Sequence, residues 1–182
     1  MHIALEKEFY IGVNDNNNYR ISRNKMEKIL VREFNNKFIL NKEFYDKIGR
    51  IGKMDNDYII LELEEALYCI KKGWIKLEGI NNFLDFIKKY KNILNMKKFY
   101  VFEDLRNKGH YLDTENVSII LYTDYKKEKI LYYVYAIYEN EFLYISRYFK
   151  FHMDSKNLNK ILFAIIDIEN DIVYYEINEL FL

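Results

Sequence analysis

Apolar residues recur at helical spacing in several segments of the first half of the chain. The clearest segment has one face formed by apolar side chains three or four positions apart: Leu63, Ala66, Leu67 and Ile70. Gly73 follows this segment and ends the predicted helix, because glycine readily takes the left-handed conformation that closes a helix. Glu64 and Glu65 alternate with the apolar face, so we expect both carboxylates to be exposed to solvent.

Further helices are predicted on either side of this one. An earlier amphipathic helix, capped by Ser22, is predicted from four apolar residues: Met26, Ile29, Leu30 and Phe34. After residue 83 the helical period continues with a break near Asn92, and another helix runs from about Lys97 to Arg106 before Gly109 stops it.

The chain after Gly109 has the pattern of β-strands. Val117, Ile119 and Leu121 recur at every second position, as in a strand. Residues 130–138 and 161–167 are apolar on both faces and predict central strands covered on both sides. A last strand, residues 172–177, is predicted to pair with its predecessor through a tight loop. The predicted fold class is α+β, with a small N-terminal α+β domain (1–78) and a C-terminal domain (79–182) that has a mixed sheet and flanking helices.

Composition excludes a disordered chain. Half of the 182 residues are apolar and 18% are aromatic, and burial of so much apolar surface can offset the entropy lost on folding. The 28 basic residues equal the 28 acidic ones, so no overall field attracts nucleic acid or a membrane, and any RNA contact must be local.

The sequence predicts no metal site and no cofactor. Cys69 is the only cysteine, which excludes an internal disulfide, and we interpret it as a small buried hydrophobe. His2, His110 and His152 are scattered without metal-ligand spacing. No apolar run approaches the roughly 20 residues of a membrane helix, so we expect a cytoplasmic protein without membrane contact.

Three segments together resemble a known family of RNA-cutting enzymes. They are E-E-A-L-Y-C-I-K-K-G-W at 64–74, Y-V-F-E-D-L-R-N-K-G-H-Y at 100–111 and K-I-L-F-A-I-I-D-I-E-N-D-I-V-Y-Y at 160–175. Their order and spacing resemble the archaeal tRNA-splicing endonucleases, also called tRNA-intron endonucleases. The middle segment is similar to that family's Y-x-D-L-R-x-R-G-Y signature, with Lys108 and His110 in place of its second arginine and its last aromatic residue.

The resemblance implies metal-independent RNA cleavage that leaves a 2',3'-cyclic phosphate, performed in catalytic members by a tyrosine, a histidine and a lysine. This chain departs from that pattern, because its segment between Gly109 and Leu121 is shorter than the family's catalytic loop. Glu115 falls where the tyrosine is expected and Lys129 where the histidine is expected. Only Lys160 matches its catalytic counterpart, so we expect no catalytic residue set and no cleavage by this chain alone.

Family members form four-unit complexes in which only two units cut. The resemblance therefore implies a structural subunit in a heterotetramer with two catalytic chains, which together excise introns from precursor tRNA at bulge-helix-bulge sites. Its partner-docking residues are expected in an acidic loop: Asp167, Glu169 and Asp171. Its subunit-interface residues are expected on the final strand: Val173, Tyr174, Tyr175 and Ile177.

Three alternatives remain open. The acidic residues of the loop are also good turn formers. Aromatic residues between Phe142 and Phe151, with Arg147 and Lys150 among them, suit either stacking on unpaired bases or a buried strand. For the whole chain, the alternatives are a rearranged active nuclease that uses His110, Tyr111 and Lys160, or a free-standing interaction module of the same fold.

Overall fold

The computed structural model describes residues 10–13, 19–22, 28–141 and 161–177. The described helices are α1 (Leu63–Lys71), α2 (Phe83–Tyr90) and α3 (Met96–Asn107), together with one 3-10 turn at Lys42–Phe44. The described strands are β1 (Tyr10–Val13), β2 (Tyr19–Ser22), β3 (Ile29–Phe34), β4 (Lys37–Asn41), β5 (Lys53–Asp55), β6 (Tyr58–Leu61), β7 (Ile75–Leu77), β8 (Tyr111–Glu115), β9 (Ser118–Tyr122), β10 (Ile130–Tyr138), β11 (Ile161–Ile166) and β12 (Ile172–Ile177).

The first five-stranded sheet has the order β5-β6-β4-β3-β7, in which only β3 and β7 run parallel. Strand β3 corrects the prediction of an amphipathic helix, since residues 29–34 are extended. Val31 points into the core, whereas Leu30 and Phe34 are 65% and 66% exposed. The backbone of this segment pairs with β4 and β7, and these partners, one of them distant in sequence, decide its conformation over a weak local helical period.

The second sheet has the order β12-β11-β10-β9-β8, with β10 parallel to β11 and the other pairs antiparallel. Strand β10 lies in the middle of it, as its apolar sequence predicts. Strands β11 and β12 pair from Ile161 opposite Ile177 to Ile166 opposite Ile172, which confirms the predicted strand-turn-strand at the C-terminal end of the described chain. Among the described strands, β8 and β12 form the two edges of this sheet.

Helices α1 and α3 pack on each other, α1 also packs on both sheets and α3 on the second sheet. One apolar cluster includes Phe38, Leu67, Phe102 and Val134. The α+β class is confirmed, with two mixed sheets and three helices. The boundary predicted at residues 78 and 79 stays a prediction. Within the described ranges, no helix is long and apolar enough to cross a membrane.

Candidate functional site

A tight hairpin occupies the position where the catalytic loop is expected. Strands β8 and β9 are joined by the two residues Asn116 and Val117, and Glu115 pairs directly with Ser118. Asn116 has a positive φ of 27°, a conformation that asparagine tolerates better than most residues. A two-residue turn is thus all that joins β8 to β9.

Glu115 and Lys129 do not converge in this structure. The Glu115 carboxylate accepts a hydrogen bond from Lys53 Nζ at 2.5 Å, across the two halves of the chain. Lys129 is exposed in the connection between β9 and β10, at the opposite end of the hairpin from Glu115. Strand β9 alone separates these ends by about 13 Å at its usual rise per residue.

Of the three residues of the alternative nuclease, the structure describes the neighbouring His110 and Tyr111. His110 is exposed, and Tyr111 begins edge strand β8. Strand β11, which begins at Ile161, lies three strands away in the same sheet, which corresponds to about 14 Å at the usual strand spacing. Lys160 and the aromatic segment between Phe142 and Phe151 lie outside the described residues.

Arg106, the arginine of the motif that resembles the family signature, acts as a structural clamp. Its Nη2 donates to the Gly49 carbonyl and its Nη1 to the His110 carbonyl, both at 2.7 Å. The guanidinium also lies 5.9 Å from the ring centre of Tyr111. Arg106 therefore connects helix α3 to the start of β8 and to the turn at Gly49.

A second set of charged side chains connects the β8–β9 hairpin to α1 and to the loop at Gly52. Glu65 of α1 accepts hydrogen bonds from the backbone N–H groups of Thr114, at 2.6 Å, and Glu62, at 2.9 Å. Asp113 is paired with Lys127, whose Nζ also donates to the Gly52 carbonyl at 3.1 Å. Because β8 is an edge strand, its outward backbone groups need partners from elsewhere, and Glu65 supplies one.

Burial dominates the electrostatics of this set. Glu65 is 1% exposed, and burial, with the nearby charge of Asp113 as the next cause, raises its pKa from 4.5 to about 7. Burial and Asp113 also raise the pKa of Tyr122. These carboxylates are inaccessible to RNA, so their arrangement suits a structural joint and not acid-base catalysis.

Glu64 forms the adjoining buried ion pair. Its carboxylate lies 3.0 Å from Lys98 Nζ and accepts a hydrogen bond from the Asn95 N–H at 3.1 Å. Lys98 also donates to the Asn116 carbonyl in the hairpin turn at 2.9 Å. The prediction that Glu64 and Glu65 are exposed is therefore wrong, because α1 is covered by α3 and β8 and both carboxylates find buried partners there.

The acidic turn between β11 and β12 divides into a structural and an exposed part. The Asp167 carboxylate accepts hydrogen bonds from the N–H groups of Glu169 and Asp171, at 2.8 and 2.9 Å. Asp167 therefore shapes the turn. Glu169 and Asp171 are exposed. The apolar Ile168, which follows Asp167 at the tip of the turn, is 88% exposed.

Strand β12 presents a mixed surface at the sheet edge. Val173 and Tyr175 are 51% and 55% exposed, and Ile177 packs partly against the sheet's smaller apolar cluster. Tyr174 faces the opposite way: its hydroxyl donates to the Asp104 carboxylate of α3 at 2.6 Å. Val173 and Tyr175 are the most exposed of the four predicted interface residues, and the interface itself stays a prediction.

Sequence reasoning missed the buried charges because their partners are distant in the chain. Glu65 lies four residues before Cys69, which is fully buried, so the two share a helix face. That spacing is the one local signal for burial. In the described part of the chain, no group of three or more His, Cys, Asp or Glu is arranged to hold a metal ion.

The comparisons with known proteins agree with this fold. Residues 27–87 match the family model for the N-terminal domain of tRNA intron endonucleases. The chain is 28% identical over 150 residues to a tRNA-splicing endonuclease of Pyrococcus horikoshii and 28% identical over 148 residues to that of Pyrococcus abyssi. Each match covers 74% of this chain and 84% of the relative.

A tRNA-splicing endonuclease of Methanosarcina barkeri is 24% identical over 144 residues, which cover 74% of this chain but 41% of that longer relative. The chain thus spans about two fifths of the length of the Methanosarcina protein. The predicted resemblance is confirmed: the chain is similar to archaeal tRNA-splicing endonucleases, and residues 27–87 match the N-terminal domain of tRNA intron endonucleases.

Proposed function

We propose that this chain is a structural subunit of a tRNA-splicing endonuclease, which positions a catalytic subunit and does not itself cut RNA. The two-residue β8–β9 turn, at the position where the resemblance predicts a longer catalytic loop, is the observation that carries this proposal. Transfer of the ribose proton needs a base and departure of the 5'-oxygen needs an acid, both within reach of one phosphate. Glu115 is paired with Lys53, and Lys129 lies at the far end of the hairpin.

The acidic turn supplies a docking element for a partner. Glu169 and Asp171 carry two exposed charges on a turn that Asp167 holds in shape, and Ile168 adds an exposed apolar tip. A rigid turn of this kind favours association, because a turn that is already ordered loses little conformational entropy on binding. A basic cleft lined by apolar side chains on the catalytic chain is the complementary surface.

Edge strand β12 supplies a second surface. An edge strand has a row of backbone N–H and C=O groups that can pair with another chain. The exposed Val173 and Tyr175 side chains extend this edge with apolar area, and aromatic residues are enriched at subunit interfaces. Pairing through β12 and docking through the turn together would join the chain to neighbouring subunits in a heterotetramer of two structural and two catalytic chains.

Coexpression with a family member from the same cell that retains the tyrosine, histidine and lysine tests the assembly. Light scattering after gel filtration is expected to give the mass of a two-plus-two complex, which the double variant Glu169→Lys, Asp171→Lys fails to form. The control Glu78→Lys, Glu128→Lys changes the charge equally at exposed loop positions away from this turn and is expected to assemble. Assembly of both variants would reject the docking role of the turn.

A further inference from the structure

The N-terminal half has a groove between the start of β3 and the turn after α1. Its cavity of about 600 Å³ is lined by Phe44, Trp74 and three lysines, Lys28, Lys47 and Lys76. The position of Trp74 is fixed by backbone geometry, since Gly73 takes a φ of 76° and the Trp74 carbonyl accepts a hydrogen bond from the Ile29 N–H at 3.0 Å. Both aromatic side chains are partly buried and keep part of their surface on the groove.

The three lysines of the groove differ from most lysines of the described chain in their electrostatic surroundings. Nine other lysines form ion pairs with carboxylates, among them Lys37 with Glu62 and Lys89 with Glu33. Within the described ranges, Lys28, Lys47 and Lys76 have no carboxylate partner, and Lys47 Nζ lies 5.3 Å from the ring centre of Phe44. The groove is thus a local positive region on a chain of zero net charge.

The groove also continues along the edge of the sheet. A second cavity of about 250 Å³ shares Lys28, Gly73 and Lys76 with the first and extends to Phe83 at the start of α2. The two cavities together form one elongated groove, with positive charge where they meet and aromatic side chains at both ends.

We infer that this elongated groove, here named the basic groove (Phe44, Trp74, Lys28, Lys47, Lys76), binds single-stranded RNA. Lysine ammonium groups contact phosphates without regard to sequence, and aromatic side chains beside them stack on unpaired bases. An acidic peptide would form ion pairs with the lysines but would leave the exposed aromatic surface without a stacking partner. Because the RNA in question is the substrate of the proposed complex, the inference rests on the proposed function and adds an RNA contact made by this chain itself.

Trp74 is the only tryptophan of the chain, so its intrinsic fluorescence reports directly on the basic groove. Titration of the full chain with a 12-nucleotide single-stranded RNA is expected to quench this fluorescence in a saturable manner. The triple variant Lys28→Gln, Lys47→Gln, Lys76→Gln is expected to bind at least tenfold more weakly in low salt. Its slope of log affinity against log salt is expected to fall by about 2, because each phosphate contact on a single strand contributes about 0.7.

The matched control is Lys37→Gln, Lys42→Gln, Lys89→Gln, which removes the same charge from lysines that already have carboxylate partners. It is expected to change the affinity less than twofold. A variant Trp74→Leu, followed by anisotropy of labelled RNA, is expected to lose at least fivefold in affinity. Circular dichroism and thermal unfolding of each variant establish that it is folded.

Three results would overturn the inference: no saturable quenching by RNA, equal losses in the two triple variants, or quenching by a poly-glutamate peptide in place of RNA. Assembly with the catalytic chain is measured separately by gel filtration, and the groove variants are expected to assemble normally. RNA binding without assembly would reject the proposed function alone, whereas assembly without RNA binding by the basic groove would reject this inference alone.

Discussion

The Glu65 carboxylate accepts a 2.6 Å hydrogen bond from the backbone N–H of Thr114, and this contact joins helix α1 to the edge strand of the second sheet. It connects the part of the chain that matches the N-terminal domain of tRNA intron endonucleases to the β8–β9 hairpin. The hairpin is therefore an integral part of the packing between the two halves.

Stability is expected to depend on pH through Glu65. Its pKa is raised from 4.5 to about 7 in the folded chain, so the folded state holds a proton that the unfolded state releases between these values. Stability is then greatest below pH 4.5 with respect to this group and falls by about 3 kcal/mol as the pH rises above 7. Urea unfolding of the wild type and Glu65→Gln from pH 5 to 8 measures the effect.

The Glu65→Gln variant is expected to lose one backbone hydrogen bond at every pH, because its amide has one acceptor oxygen in place of two. The free energy of unfolding of this variant should therefore depend less on pH than that of the wild type, because the contribution of Glu65 is absent. Parallel pH profiles of the two proteins would show that Glu65 does not titrate as proposed.

Lys127 is expected to be essential for the stability of the hairpin. Lys127→Met leaves the Asp113 carboxylate, 3% exposed, without its cation, and breaking a buried ion pair in this way costs about 3 to 5 kcal/mol. The neighbouring Lys126→Met at an exposed position is expected to change the free energy of unfolding by less than about 0.5 kcal/mol. Similar urea midpoints for the two variants would contradict the role of Lys127.

The two adjacent tyrosines of β12 are expected to have separate effects. Tyr174→Phe removes the hydrogen bond to Asp104 and should lower the free energy of unfolding by about 1 to 2 kcal/mol without weakening assembly. Tyr175→Ser should leave the stability of the free chain nearly unchanged and weaken assembly with the partner. Unfolding and gel filtration on both variants separate these outcomes, and a reversed pattern would show that β12 faces a partner through its other side.

The sequence predicts the second sheet well because its signal is local. Residues 130–138 are apolar on both faces, and such a run of β-branched and aromatic residues is stable only as a covered strand. The acidic turn is equally well predicted, since Asp167 and Asn170 are residues that turns favour and Asn170 takes a positive φ of 67°.

The failures have one cause, which is the dependence on distant partners. Residues 29–34 carry a spacing that fits a helix, but pairing with β7, more than 40 residues later, fixes them as a strand. Glu65 carries a charge that favours solvent, but the buried backbone N–H of Thr114 donates a hydrogen bond to its carboxylate. The distance between Glu115 and Lys129 is harder still to predict from sequence, because it depends on which ends of a hairpin the two residues occupy.

Cleavage of a precursor tRNA that carries a bulge-helix-bulge is the most direct test of the central claim. The purified chain alone, in excess over RNA, is expected to leave this precursor intact, and addition of a family member with the tyrosine, histidine and lysine is expected to give products with 2',3'-cyclic phosphate ends. Cleavage by the chain alone, abolished by His110→Ala, would contradict the account and establish a rearranged active nuclease.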